Sequence, residues 1–186
     1  MARLPFASAT DSPETAEVLA EITATRGFVA NAFKLLAHSP EALKHFARVG
    51  RYNRYQSSLP LRLRELTILC AARGVHYAWS HHSTLAVQAG IPQSAVDDIG
   101  AGRAPAALPA SEQAIARYVQ EMFAPGSVSD ATFAELARHY SPRQITDISL
   151  AAAYYRALGT MVMAFGVEVE TPEVLQVERD WQKDLV

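Results

Sequence analysis

The stretch Leu61–Gly90, "LRLRELTILCAARGVHYAWSHHSTLAVQAG", decides the fold, because it reads as two apolar-faced helices joined by a short turn across which they could pair antiparallel. Leu59-Pro60 opens the first segment, which runs to Gly74, and the second ends at Gly90. At roughly 100° per residue, Glu65 falls between Leu61, Ile68, Leu69 and Ala72, in the middle of the apolar stripe, with Arg62, Arg64 and Arg73 to either side. On the second segment Ala78, Trp79, His82, Ala86 and Ala89 share a sector, with Leu85 at its edge. His81 is expected on the opposite, polar side with Tyr77, Thr84 and Gln88.

A carboxylate buried without a partner is costly, so Glu65 must take a proton or find a donor. Each of two consecutive helices carries one ionisable group on its apolar face, and an antiparallel pairing could bring Glu65 to His82. In contact, the two would form a proton relay. The plainer alternative is a core histidine with a satisfied hydrogen bond and a glutamate that tethers a neighbouring helix. Spacing alone leaves both readings open.

Outward from this pair, start signals recur along the chain with no sustained period-2 alternation, which makes the expected fold all-α. Ser12-Pro13-Glu14 opens a helix toward Gly27, and Ser39-Pro40-Glu41 opens one reaching about Gln56. Pro92 starts a short helix that stops around Gly100 to Gly102. Ser111-Glu112 begins one to about Phe123, and Ser129-Asp130 begins one to His139. Ser141-Pro142-Arg143-Gln144 is a capping box with proline at the first helical position. The helix it opens is apolar almost all round from Ile145 to Phe165 and is expected to be buried at the centre of a bundle or in a subunit interface. "GRAPAALPA", residues 102–110, is the expected hinge. A single domain over 1–186 is expected, with an N-terminal helical extension over 1–26 and a C-terminal helix over 171–186.

The 186 residues carry 17 Lys+Arg against 19 Asp+Glu, a net charge of −2 without the basic face that phosphate backbones require, so nucleic acid is not an expected partner. No run reaches the roughly 20 uninterrupted apolar residues of a membrane span, and no apolar stretch follows the first residues, so a cytoplasmic protein acting on small molecules or on copies of itself is expected. One cysteine, Cys70, excludes a disulfide within the chain, a CxxC pair and a multi-cysteine zinc site, and no Glu-x-x-His pair suggests a di-iron centre. No metal and no cofactor are expected.

Arg156 lies on the long apolar helix in line with Ile145, Ser149, Ala152, Thr160 and Met163, where its guanidinium needs an anion: a substrate carboxylate, or an ion pair with Asp147, Glu65 or a neighbouring subunit. Tyr77, Tyr154 and Tyr155 either line a pocket or fill the bundle. Cys70, away from Glu65 on its helix, reads as a small buried hydrophobe, with a catalytic thiol as the alternative.

Together, "LRLRELTILCAARGVHYAWSHHSTLAVQAGIPQSAVDDI", the preceding "NAFKLLAHSPEALKHFARVG" and the following "SDATFAELARHYSPRQITDISLAAAYYRALGTMVMAFGVEVE" resemble the carboxymuconolactone decarboxylase family over about Gly27 to Glu170. Arg64-Glu65-Leu66, the aromatic-x-Trp-x-x-His at Tyr77, Trp79 and His82, and the Tyr154-Tyr155 pair carry the resemblance. It implies an alkylhydroperoxidase D-like helical bundle assembling into trimers or hexamers. It also implies a branch without the CxxC pair, since Val75 and Ala78 stand about where those cysteines would fall. By the same resemblance the chain would be a cofactor-independent carboxy-lyase acting on a small carboxylated lactone from aromatic-compound breakdown. Glu65 and His82 would be catalytic, and Trp79, Tyr77, Arg156 and Tyr155 would bind substrate. Two alternatives stand beside it: a non-enzymatic oligomeric helical protein with a structural Glu/His pair, and an antioxidant protein using Cys70 alone.

Overall fold

The computed structural model describes residues 2–183, without the side chains of Gln182 and Lys183. All its regular elements are α-helices: α1 Pro13–Arg26, α2 Asn31–Leu36, α3 Pro40–Tyr55, α4 Leu61–Ala72, α5 His76–Gln88, α6 Gln93–Gly100, α7 Ala110–Met122, α8 Asp130–His139, α9 Pro142–Phe165 and α10 Pro172–Lys183. The last three residues of the expected C-terminal helix lie outside the described residues.

The serine start signals act as local chemistry dictates. Ser12 accepts from the Thr15 amide at 3.1 Å and Ser129 from the Thr132 amide at 3.2 Å. Ser141 and Gln144 bond reciprocally, each side chain to the other's backbone N–H, at 3.0 and 3.3 Å. Gly27, at φ +76°, closes α1 in the left-handed conformation. The short α2 went unanticipated, because its six residues follow Ala30 with no side-chain cap to announce them.

Contacts group the chain into two compact units, Met1–Tyr55 with Thr160–Val186, and Gln56–Gly159. In the first, α3 packs against α1 and α2. A buried ion pair at 2.8 Å joins Arg54 of α3 to Glu178 of α10. In the second, α4 is central, packed on α5, α6 and α7, and α7 carries α8. Arg62 of α4 grips Glu112 of α7 with two hydrogen bonds, at 2.7 and 2.9 Å, and also donates to the Gly90 carbonyl. Glu121 of α7 accepts from the Ser129 backbone and hydroxyl, both at 3.0 Å, and from the Thr132 hydroxyl at 2.6 Å. Those bonds hold its carboxyl below the usual carboxylate range and fasten the start of α8.

One expectation needs correction. The 102–110 stretch is no hinge between units: it lies within the second one, with Pro105 and Leu108 buried. α9 is covered on one face within a single chain. Ile145, Ile148, Ala151, Ala152, Tyr154, Tyr155 and Val162 face inward, while Leu150 and Met163 are exposed. α9 is 24 residues long and its most apolar window has a mean hydropathy of 1.3, enough by length and composition alone to cross a membrane. Its inward face also carries Asp147, which accepts from the Ser58 amide at 2.7 Å and hydroxyl at 2.6 Å, as suits a packed helix.

α9 meets the start of α5 through Gly159. A Cβ there would stand 3.0 Å from a Val75 methyl, and Val75 is itself buried. Overpacking such a contact costs about 1–3 kcal/mol. Gly159→Leu should therefore lower the thermal midpoint by several degrees in calorimetry, at about 2–4 °C per kcal/mol for a chain of this size.

Candidate functional site

The α4–α5 hairpin turns at Arg73–Gly74, and residues 65 and 82 are almost equidistant from that turn. At 1.5 Å of rise per residue both side chains stand about 13 Å from it, so antiparallel packing sets them opposite each other. His82 Nδ1 lies 2.9 Å from Glu65 Oε2, with side-chain exposures of 5% and 1%. The other carboxylate oxygen, Oε1, is buried and has no hydrogen-bond partner among the described residues.

α9 adds an aromatic wall. Tyr155 meets the His82 ring edge-on, 4.9 Å between centroids at 85°, and Tyr154 meets Tyr155 at 5.3 Å and 78°. Tyr77 stacks on His81 at 4.8 Å. Here the helical wheel misplaced two residues: Tyr77 and His81 are buried, not on a polar side. α5 buries Tyr77, Ala78, His81, His82, Leu85 and Ala86, a sector wide enough to take in both neighbouring histidines.

The imidazole–carboxylate contact can hold one proton in either of two ways. With the proton on Nδ1, the ionised Glu65 orients the ring and leaves Nε2 as the nitrogen that exchanges protons with another molecule. The carboxylate would then stabilise the imidazolium formed when Nε2 is protonated. Such a pair suits acid–base chemistry and lacks a nucleophile.

The other sequence-derived candidates lie apart from the dyad. The rim of the Trp79 ring sits over Gly100, where an added Cβ would be 2.9 Å away. Arg156 stands over the Phe123 ring at 5.3 Å and lines a cavity of about 940 Å³ among the end of α4, residues 99–105, α7 and α8. Neither Glu65 nor His82 lines it. Cys70 does, five residues and about 140° round α4 from Glu65. Among the described residues no group of three or more His, Cys, Asp or Glu could hold a metal ion.

The cavity's arginine lining escaped sequence reasoning, since Arg73, Arg103, Arg117 and Arg138 come from separate segments. One signal was present: only three of the chain's 17 cationic residues are lysines, Lys34, Lys44 and Lys183.

Residues 40–121 match the sequence profile of the carboxymuconolactone decarboxylase family. The matched segment is 40–121 of a chain of 186 residues, and there the chain is similar to that family. Among curated proteins, none matches its sequence. Among solved structures it is similar to the debrominase Bmp8 in complex with a tribromopyrrole, at TM-score 0.75 and 17% identity over 100% of both chains. It is also similar to an uncharacterised peroxidase-related protein with the alkylhydroperoxidase AhpD core from Ralstonia eutropha, at TM-score 0.77 and 20% identity over 95% of this chain and 96% of that one. A third likeness is to an uncharacterised peroxidase-related protein from a Silicibacter species, at 0.76 and 18% over 91% and 92%. The fold is thus all-α and AhpD-like.

Burial among its neighbours pushes the Cys70 thiol up to about 12, which disfavours the thiolate needed for attack even though the half-buried side chain lines the cavity. Iodoacetamide should accordingly alkylate native Cys70 far more slowly at pH 8 than the urea-unfolded chain, a difference that mass spectrometry reads directly.

The dyad itself is a desolvated pair, and removing one partner strands the other. His82→Ala should cost about 3–5 kcal/mol in urea unfolding, whereas the double change Glu65→Leu with His82→Leu should recover most of that loss. Additive losses in the two single variants would show that the residues do not interact.

Proposed function

We propose that this chain is a cofactor-independent acid–base enzyme of the carboxymuconolactone decarboxylase type, acting on a small carboxylated lactone or a related product of aromatic-compound breakdown. The observation that carries this reading is the 2.9 Å contact between His82 and Glu65 inside an apolar core, with Glu65 Oε1 unpartnered. When such a substrate loses carbon dioxide, the electron pair of the broken carbon–carbon bond remains on the ring as a conjugated enolate. That enolate must be stabilised and then protonated at carbon. His82 delivers the proton from Nε2, and Glu65 holds the imidazolium until it does so. Tyr155, packed on the ring of His82, fixes its plane.

The family match over residues 40–121 and the debrominase among the similar structures support an enzyme in general. The absence of a second cysteine argues against the dithiol peroxide reduction of AhpD-type proteins, and the high pKa of Cys70 argues against a single-thiol version. In this proposal the assembly is a homo-oligomer, a trimer or hexamer, in the cytoplasm.

A second reading is favoured by one observation: the 940 Å³ cavity is not lined by the dyad. On that reading Glu65 and His82 only hold α4 to α5, and the protein is a non-enzymatic helical oligomer. Turnover separates the two. The purified protein, His82→Ala and Glu65→Gln are assayed for carbon dioxide release, and for deuterium uptake into product in heavy water, against a panel of carboxylated lactones. The acid–base reading expects turnover that falls about 10²–10⁴-fold in His82→Ala, with the protein still folded. Turnover unchanged in that variant would assign the pair a structural role, and no turnover by the wild type would sink the lyase reading.

A further inference from the structure

The large cavity takes no part in the proton chemistry above, yet its lining is chemically uneven. Arg73, Arg103, Arg117, Arg138 and Arg156 reach it from the α4–α5 turn, the loop after α6, α7, α8 and α9, against a single lining carboxylate, Glu135. Arg103 pairs with Asp98 at 2.8 Å and Arg138 with Glu135 at 2.7 Å, and Arg117 lies in the field of Glu121. The acids beside Arg103, Arg117 and Arg138 offset part of this charge, and arginine still outnumbers carboxylate in the lining five to one. Like charges gathered from five parts of the chain repel one another, and a concave site bounded by protein focuses their potential on whatever enters.

Size and shape narrow the ligand. About 940 Å³ lies near the top of the range for clefts that hold organic molecules, and is far more than an inorganic ion fills. Phe123 offers its ring face beneath Arg156, and Ala110, Ala114 and Ala131 contribute small apolar surfaces on which a flat group could lie. The position of Arg73 is itself provided for. Its guanidinium rests on Gly102, where a Cβ would come within 2.7 Å of Nη2 and where φ is +74°, so a larger residue would have to displace it.

We propose that this cavity binds a planar organic polyanion, its acidic groups met by Arg73, Arg117 and Arg156 and its flat part lying against Phe123. Guanidinium groups suit this role because their paired N–H donors match carboxylate and phosphate oxygens two at a time. An aromatic polycarboxylate and a nucleotide share this chemistry.

Isothermal titration of the full chain with benzenetetracarboxylate, and separately with ATP, tests the proposal and distinguishes the two sources. At low ionic strength at least one probe should bind saturably, with a Kd below about 1 mM that rises with added salt. Arg73→Ala and Arg156→Ala should each weaken it about tenfold or more, and Gly102→Ala should weaken it by displacing Arg73. Arg48→Ala, on α3 in the other unit, should leave affinity unchanged. Arg73→Lys and a thermal melt of every variant separate loss of the site from loss of the fold. Binding of the tetracarboxylate alone identifies an aromatic acid site, and binding of ATP alone a nucleotide site. If neither probe binds, or if folded Arg73→Ala and Arg156→Ala bind as the wild type does, the proposal is overturned. The outcome is independent of the dyad, whose chemistry is read by turnover.

Discussion

The contact between Glu65 and His82 is the constraint around which the second unit is organised. Two groups that prefer water are held almost completely out of it, and each is tolerable only because the other is there. That requirement fixes the register of α4 against α5 about the Arg73–Gly74 turn. A slip of one residue in either helix would turn one group through about 100° and leave both without their partner. It also fixes the approach of α9, whose Tyr155 must lie edge-on to the imidazole and whose Gly159 lets the helix close on Val75. Oε1 of Glu65 is what purely structural pairing leaves unexplained, because buried polar atoms in folded proteins nearly always find a partner.

α4 thereby serves two chemically distinct regions. One side presents Glu65 to a buried, aromatic-walled pair with His82. Another side carries Cys70, and the turn after it Arg73, toward an open, arginine-lined cavity walled by α7 and α8. Arg62 and Glu112 clamp α4 to α7, and Glu121 fastens the start of α8, so the cavity walls are held by hydrogen-bonded charge as well as by apolar packing. The proton chemistry proposed above belongs to the first region, and the anion site proposed above to the second.

Much of this was legible in the sequence because it is local. Ser12, Ser129 and Ser141 announced three helix starts, since a hydroxyl at that position satisfies an otherwise orphaned amide whatever the tertiary fold. The phase of α4 put Glu65 on the buried face, and the brevity of the following turn put it opposite His82. The wheel failed at His81 and Tyr77 because it assumes one apolar and one polar half, whereas α5 is covered over a wider sector. α9 is apolar all round in composition, and Leu150 and Met163 are uncovered within one chain, because composition does not separate a face that packs within the chain from one that does not. Arg156 was visible as a cation needing an anion. That it faces a cavity with four other arginines depends on segments from residue 73 to residue 138 coming together, which no local pattern records.

Nitrogen-15 NMR of the His82 side chain tests the central claim most directly, because it reports which ring nitrogen carries the proton and whether the other is open to exchange. The account predicts a strongly hydrogen-bonded Nδ1–H directed at Glu65, lost in Glu65→Leu, together with an Nε2 signal that shifts on addition of a turned-over carboxylated lactone. A ring whose Nδ1 is unaffected by removing Glu65, or whose Nε2 does not respond to that substrate, would contradict it.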